Sequence, residues 1–236
     1  MFLKRVLPVA VALAAAGTTV QASEAIEEAM SRAIPDAQID AIEDTPLDGI
    51  KAVRYGTEVF YVSEDGRYVI QGNMIDLETR ENLTEQVAGG ARAELFGAID
   101  DSELVVYEPN GETRAVLNIF TDPNCPYCRD IHADLPEYLE AGVKVRYLMF
   151  PVLGQDSPEI MNRTWCADDR QEAMDRAKEG DRLTDLDGSC ATPQDEHMQL
   201  ARDLGVRGTP ALFTGDGQMM AGYVEPAEVL GRLLDD

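Results

Sequence analysis

Positive charge is scarce in this chain. Lys and Arg together number 20 against 44 Asp and Glu, for a formal net charge of −24 and a pI near 4.3. Beyond residue 22 the lysines are Lys51, Lys144 and Lys178 alone. Such a field repels nucleic acid and anionic membrane surfaces, so neither is expected as a partner. Two readings of the acidity remain, attraction of basic client proteins or a surface adapted to a salty medium, and the second is preferred. Histidine is equally sparse: His132 and His197 show no metal-ligand spacing with the four cysteines. Zinc usually wants four ligands, often as two close pairs, so neither a metal nor any other cofactor is expected. Long apolar runs are missing after the first 22 residues, so no membrane insertion of the mature chain is expected. Internal repeats and low-complexity tracts are also absent.

The start of the chain reads as a targeting segment. Lys4 and Arg5 precede an apolar run from Val6 to Ala16, and small residues close it at Val20-Gln21-Ala22. A basic start, a short apolar run and small residues at the cut describe a secretory signal peptide over 1–22, cleaved after Ala22. The run is far short of the roughly 20 residues a membrane span needs. All four cysteines, Cys125, Cys128, Cys166 and Cys190, follow it. An even count in an exported chain points to disulfide chemistry in an oxidising compartment such as the periplasm.

Two domains are expected from the length that remains. Ser23 to Ile34 reads as a short helix with Ser23 as N-cap, stopped by Pro35. Strands are expected at 38–42, 50–55, 58–63 and 68–72, with Glu64-Asp65-Gly66-Arg67 as a hairpin turn. This N-terminal unit, 23–83, offers a thin core that oligomerisation would support. Residues 84–104 read as a helical linker, broken by Gly89-Gly90 and Gly97. Residues 105–236 then read as an α/β domain with a mixed sheet. Its strands fall at 115–120, 143–150, 211–214 and 218–222. Its helices follow the C-P-Y-C to about Glu140, then run over 158–178, 194–204 and 226–234.

The chemistry concentrates in FTDPNCPYCRDIH, Phe120 to His132. Two cysteines two residues apart make disulfides, break them, reshuffle them or hold a metal. Cys125 sits where a strand ends and a helix begins, so unsatisfied N–H groups and the positive end of the helix dipole favour its thiolate. The thiolate is the nucleophile of thiol–disulfide exchange. Pro126 fits the first helical turn, and Cys128, one turn along, is in reach to attack a mixed disulfide. Tyr127 reads as client-contact surface and Asp122 as a turn residue. Trp165 reads as core, and His132 as a partly exposed helix residue with thiolate tuning as the alternative. Cys166 and Cys190 read as a structural disulfide around a polar, acidic loop, with a second redox centre as the alternative. Closing about 25 residues stabilises by roughly 3.5 kcal/mol in a chain-entropy account. Gly208-Thr209-Pro210 before a strand fits a cis-proline turn facing the C-x-x-C, whose backbone can pair with an extended client.

Taken together, FTDPNCPYCRDIH, VRYLMFPVLGQDS, TWCADD, LGVRGTPALF, GYVEP and the N-terminal YVSEDGRYVIQGNMIDL resemble the DsbC/DsbG family of periplasmic thiol:disulfide interchange proteins. The resemblance spans essentially the whole mature chain. It implies a V-shaped homodimer with a small α+β dimerisation domain, a helical linker and a C-terminal thioredoxin fold carrying a helical insertion. It assigns Cys125 as attacking and Cys128 as resolving cysteine, Thr209 and Pro210 as the cis-proline loop, and Cys166–Cys190 as the structural disulfide. The activity implied is isomerase or reductase action on misfolded or misoxidised exported proteins, with chaperone-like client binding and a DsbD-like membrane reductant as partner. One departure stands out: Pro126-Tyr127 is the DsbG dipeptide, where DsbC-type isomerases typically have Gly-Tyr. The reading is DsbC-like. The alternatives are a DsbG-like reductase of single, sulfenylated cysteines, a monomeric oxidant, and a non-redox holdase.

Overall fold

The computed structural model describes residues 16–35 and 38–234. The basic start and most of the apolar run of the expected leader therefore lie outside the described residues. The chain divides into two compact units, Met1–Gly72 and Asn73–Asp236.

In the first unit, helix α1 (Ala16–Ala33) begins ahead of Ser23 and passes through it, so Ser23 is not the N-cap. Strands β1 (Ala41–Asp44), β2 (Ile50–Tyr55), β3 (Glu58–Ser63) and β4 (Val69–Gln71) form an antiparallel sheet in that order. β1 starts three residues later than the sequence suggested, and β4 is shorter. The β3–β4 turn needs its glycine twice over. Gly66 has φ +67°, and a Cβ there would lie 2.7 Å from the Ala25 carbonyl of α1. Ile26 and Met30 of α1 pack on Val53, Phe60 and Val62. Tyr68, Val69 and Ile70 at the β4 edge are all more than half exposed.

The second unit begins with α2 (Leu83–Gly97), capped by Asn82, whose side chain accepts from the Glu85 N–H. Gly89-Gly90 does not break it, and Gly97 is its last residue. Gly89 instead lets the helix approach the 216–218 turn, where a Cβ would sit 3.1 Å from the Asp216 carbonyl. Arg92, buried, donates from Nε to the Gly217 carbonyl at 2.6 Å and pairs with Glu85. The expected linker helix is thus packed within the second unit.

Strand β5 (Val105–Tyr107), β6 (Ala115–Thr121), β7 (Val143–Met149), β8 (Ala211–Thr214) and β9 (Met219–Ala221) form a mixed sheet in the order β5-β7-β6-β8-β9. β6 and β7 are parallel and the other pairs antiparallel. β5 escaped the sequence reading, because three residues after a helical pattern carry no alternation to detect. Side chains alternate between two cores. Leu117 and Ile119 join Val145, Tyr147, Ile131 and Trp165 on one face, while Phe120 joins Leu148, Phe213 and Phe96 on the other.

Helix α3 (Pro126–Ala133) is separated from α4 (Leu135–Glu140) at Asp134, where Pro136 enters the first turn of the second helix. The long helix expected over 158–178 is likewise two, α5 (Ser157–Cys166) and α6 (Arg170–Glu179). Ala167 is extended, and the Asp169 side chain caps α6 by accepting from Glu172 N–H. Helices α7 (Gln194–Asp203) and α8 (Pro226–Leu234) complete the unit. Among the described residues no helix is long and apolar enough to cross a membrane.

His197 of α7 fastens that helix to the sheet. Its Nδ1 accepts the Met149 N–H at 3.1 Å, and the ring is 4% exposed. Burial lowers its pKa to about 4, against a smaller opposing pull from Glu196. The unfolded chain therefore binds the extra proton first, so this contribution is whole above about pH 6.5 and is lost as pH falls toward 4. Denaturant titrations should show wild type losing up to about 3 kcal/mol relative to His197→Asn across that window. Parallel pH curves for the two proteins would contradict a buried neutral His197.

Candidate active site

β6 ends at Thr121, and four residues carry the chain from the sheet into α3. Cys125 is the N-cap, in extended geometry, with its N–H on the Asp122 carbonyl at 3.3 Å. Its carbonyl accepts the Arg129 N–H at 3.2 Å, and Pro126 occupies the first turn, where a missing N–H costs nothing. Cys128 follows one turn inward. Neither cysteine is joined in a disulfide, and each is only 1% exposed.

The Thr209-Pro210 bond, just ahead of β8, is cis. The Cys125 thiol donates to the Thr209 carbonyl at 3.3 Å. Two segments 84 residues apart in sequence thus meet at the sulfur. Tyr127, between the cysteines, is 59% exposed.

Asp122 is not a simple turn residue. It is fully buried and organises the loop: Oδ1 accepts from Asn124 N–H at 2.7 Å and Ser157 Oγ at 2.9 Å, and Oδ2 from Leu153 N–H at 2.8 Å. Asn124 adds hydrogen bonds from Nδ2 to Ser157 Oγ and Asp156 Oδ1. The segment before α5 is thereby locked to the segment before Cys125. An aspartate two residues before an Asn reads as a turn in sequence; its partners 31 to 35 residues away have no local signature.

Lys178 was missed altogether, being read only as the end of a helix. The last turn of α6 carries it beneath the redox helix, 4% exposed. Its Nζ donates to Thr121 Oγ1 at 2.5 Å and to the Asp122 carbonyl at 3.0 Å, and lies 5.8 Å from the Tyr147 ring centre. Burial lowers the Lys178 pKa to about 8, partly offset by Cys128 and Asp122. Burial also pushes the Cys128 thiol up, while Lys178, the Thr121 side chain and the Asp122 backbone pull it back.

His132 is more enclosed than a surface helix residue. Its Nδ1 lies 3.1 Å from the Tyr147 hydroxyl and its Nε2 3.0 Å from Asp175 Oδ1, with the ring edge-on to Tyr107. Burial lowers its pKa, Lys178 adds to that, and Asp175 opposes both. Cys166 and Cys190 are joined in a disulfide with Cα atoms 5.7 Å apart. Trp165 beside it is core, with its indole N–H on the Ala191 carbonyl at 3.1 Å. Among the described residues no group of three or more His, Cys, Asp or Glu is placed to hold a metal ion.

A C-x-x-C at a strand-to-helix junction, facing a cis-proline turn on a mixed sheet, is the architecture of a thioredoxin-like domain. Residues 101–236 match the family model for the thioredoxin-like domain, and residues 15–85 that for the disulfide bond isomerase protein N-terminal domain. The thiol:disulfide interchange protein DsbC of Dickeya dadantii is 34% identical over 189 residues, covering 78% of this chain and 76% of the relative. DsbC of Escherichia coli is 34% identical over 185 residues, covering 77% and 75%. The chain belongs to the DsbC family of thiol:disulfide interchange proteins. The solved disulfide interchange protein from Neisseria gonorrhoeae shares the fold, with a TM-score of 0.51, 22% identity and coverage of 58% of this chain and all of that one.

Replacing Asp122 tests how far the redox loop depends on it. Asp122→Asn turns an NH2 toward one of its buried donors and should destabilise by about 2–3 kcal/mol in urea titrations. A loss under about 0.5 kcal/mol would show that the loop does not need the carboxylate.

Proposed function

We propose that the protein is a periplasmic disulfide isomerase and reductase that reshuffles wrong disulfides in exported proteins. The observation that carries this reading is Cys125 at the start of α3, outside any disulfide, with its thiol on the Thr209 carbonyl. Cys125 attacks a client disulfide and forms a mixed disulfide. The freed client thiol then attacks another disulfide, which is isomerisation, or Cys128 displaces the client, which is reduction. Thr209 and Pro210 present backbone to an extended client, Tyr127 offers it apolar surface, and Cys166–Cys190 is structural.

Export by a signal peptide cleaved after Ala22 fits the basic, apolar start of the chain. Residues 23–83 act as the dimerisation domain and 84–104 as the linker to the catalytic domain, 105–236. The exposed β4 edge, with Tyr68, Val69 and Ile70, supports a homodimer, since an open apolar strand invites pairing. An isomerase must be kept reduced, so a DsbD-like membrane reductant is the expected partner. Pro126 favours a second reading, a DsbG-like reductase of single oxidised cysteines.

Reactivation of scrambled ribonuclease separates these. Wild type should restore activity, Cys125→Ser should fall to background, and Cys128→Ser should retain a fraction. An inactive wild type would remove the isomerase assignment, and a monomer in light scattering would favour an oxidant.

A further inference from the structure

We infer that Val152 and Leu153, together with Tyr127, form a client-reading face that selects cysteines flanked by large apolar side chains. This deepens the exchange reaction proposed above and rests on Cys125 being the attacking cysteine. Among the described residues of 101–236, the large apolar side chains left exposed are these three alone, at 42%, 56% and 59%. Singly scattered apolar residues on a surface need no explanation, but three gathered around one reactive sulfur do.

Their placement is fixed by the redox loop. Tyr127 lies between the cysteines, and Leu153 donates its N–H to Asp122 Oδ2 at 2.8 Å. Gly154 follows at close quarters, since a Cβ there would lie 2.6 Å from Asn124 Nδ2. The segment therefore runs against Asn124, the residue before Cys125. The Asn124 amide holds its far end too, by donating to Asp156 Oδ1 and Ser157 Oγ. Val152 and Leu153 thus stand on backbone that is already ordered, so covering them costs little further backbone entropy.

Charge decides what covers them. Three segments converge on the redox loop, 123–128, 149–155 and 208–215, and none contains Asp, Glu, Lys or Arg in a chain of net charge −24. The acids at their borders are engaged: Asp122 is buried under its three donors, and Asp156 pairs with Arg182 at 2.7 Å. Arg207, exposed at the border of the third segment, repels a basic residue further. An uncharged window of this kind gives a basic client no local partner and spares an apolar one the cost of desolvating charge. With the Cys125 thiol on the Thr209 carbonyl, an extended client laid along the cis turn brings the residues beside its own cysteine over this window. Folded chains bury apolar residues and cysteines alike, so unfolded and wrongly paired clients are the ones that present both together. The face favours misfolded clients over finished ones.

The test offers the full-length Cys128→Ser protein an equimolar mixture of three peptides, each with one cysteine flanked on both sides by leucine, serine or lysine. Each cysteine is activated as a disulfide with an aromatic thiol, so attack by the Cys125 thiolate on the peptide sulfur releases the aromatic thiolate. About 1 M salt screens the general acidic field to about 3 Å. Mass spectrometry then counts which peptide Cys125 holds. The leucine peptide should be trapped about tenfold more often than the serine peptide, with the lysine peptide no better than serine. Val152→Ser combined with Leu153→Ser should cut the leucine-to-serine ratio at least threefold, and Leu153→Met should keep it. Leu95→Ser, at an exposed leucine of α2, should leave it as it was. A preference for lysine, or an unchanged ratio in the double variant, would overturn the inference. Equal trapping of all three peptides would overturn it while leaving the exchange reaction standing, whereas no trapping at all would remove both.

Discussion

The parallel pairing of β6 with β7 is the constraint on which the second unit depends. Seven residue pairs run from Ala115–Val143 to Thr121–Met149, and the ladder continues with the Phe150 N–H on the Thr121 carbonyl at 2.9 Å. Parallel neighbours cannot be joined by a hairpin, so the chain must cross over a face of the sheet. That crossover is α3 and α4, and its first turn carries the cysteines. A central parallel pair is also covered on both faces, so the two aromatic and aliphatic cores follow from the same pairing. The position of Cys125 is therefore a consequence of where β6 stops.

Because β6 is central, it stops in a dry place. Thr121 and Asp122 are fully buried, and every polar group near them must find a protein partner. Asp122 meets this by accepting three hydrogen bonds, one from Leu153 ahead of α5 and one from Ser157 at its start. Lys178 meets it with a hydroxyl, a carbonyl and an aromatic face. The cis turn meets it by taking the Cys125 thiol on the Thr209 carbonyl. Each partner comes from a different element, which makes the redox loop a joint product of the β6–α3 turn, the α5 approach, α6 and the turn before β8.

What could be read from sequence was whatever is local. The C-P-Y-C between an apolar strand and a helix, the Thr-Pro before a second strand, and the hairpin at Gly66 all announce themselves within a few residues. The family segments added the order of domains. Elements went astray where a short-range competitor decided: Asp169 capping a new helix, Pro136 opening another, and β5 too short to alternate. Gly89-Gly90 looked like a break in α2 because only the folded chain reveals the Asp216 carbonyl against Gly89. Asp122 and Lys178 were illegible for the same reason, since their partners lie 31 to 57 residues away.

Scarcity of lysine takes on meaning in this light. Lys51 is held by Asp44 and Glu64, and Lys144 by Asp101 and Glu108, each with most of its stem covered by the sheet. Neither relieves the acidic surface, and exposed pairs of this kind contribute little stability. Lys178 is different, because its amine is inside. Burying an ammonium costs free energy unless it is paired, and Lys178 offsets that cost with the Thr121 hydroxyl, the Asp122 carbonyl and the Tyr147 ring face. The resting site therefore holds an amine of weakened basicity beside a thiol of weakened acidity, each made so by the same burial.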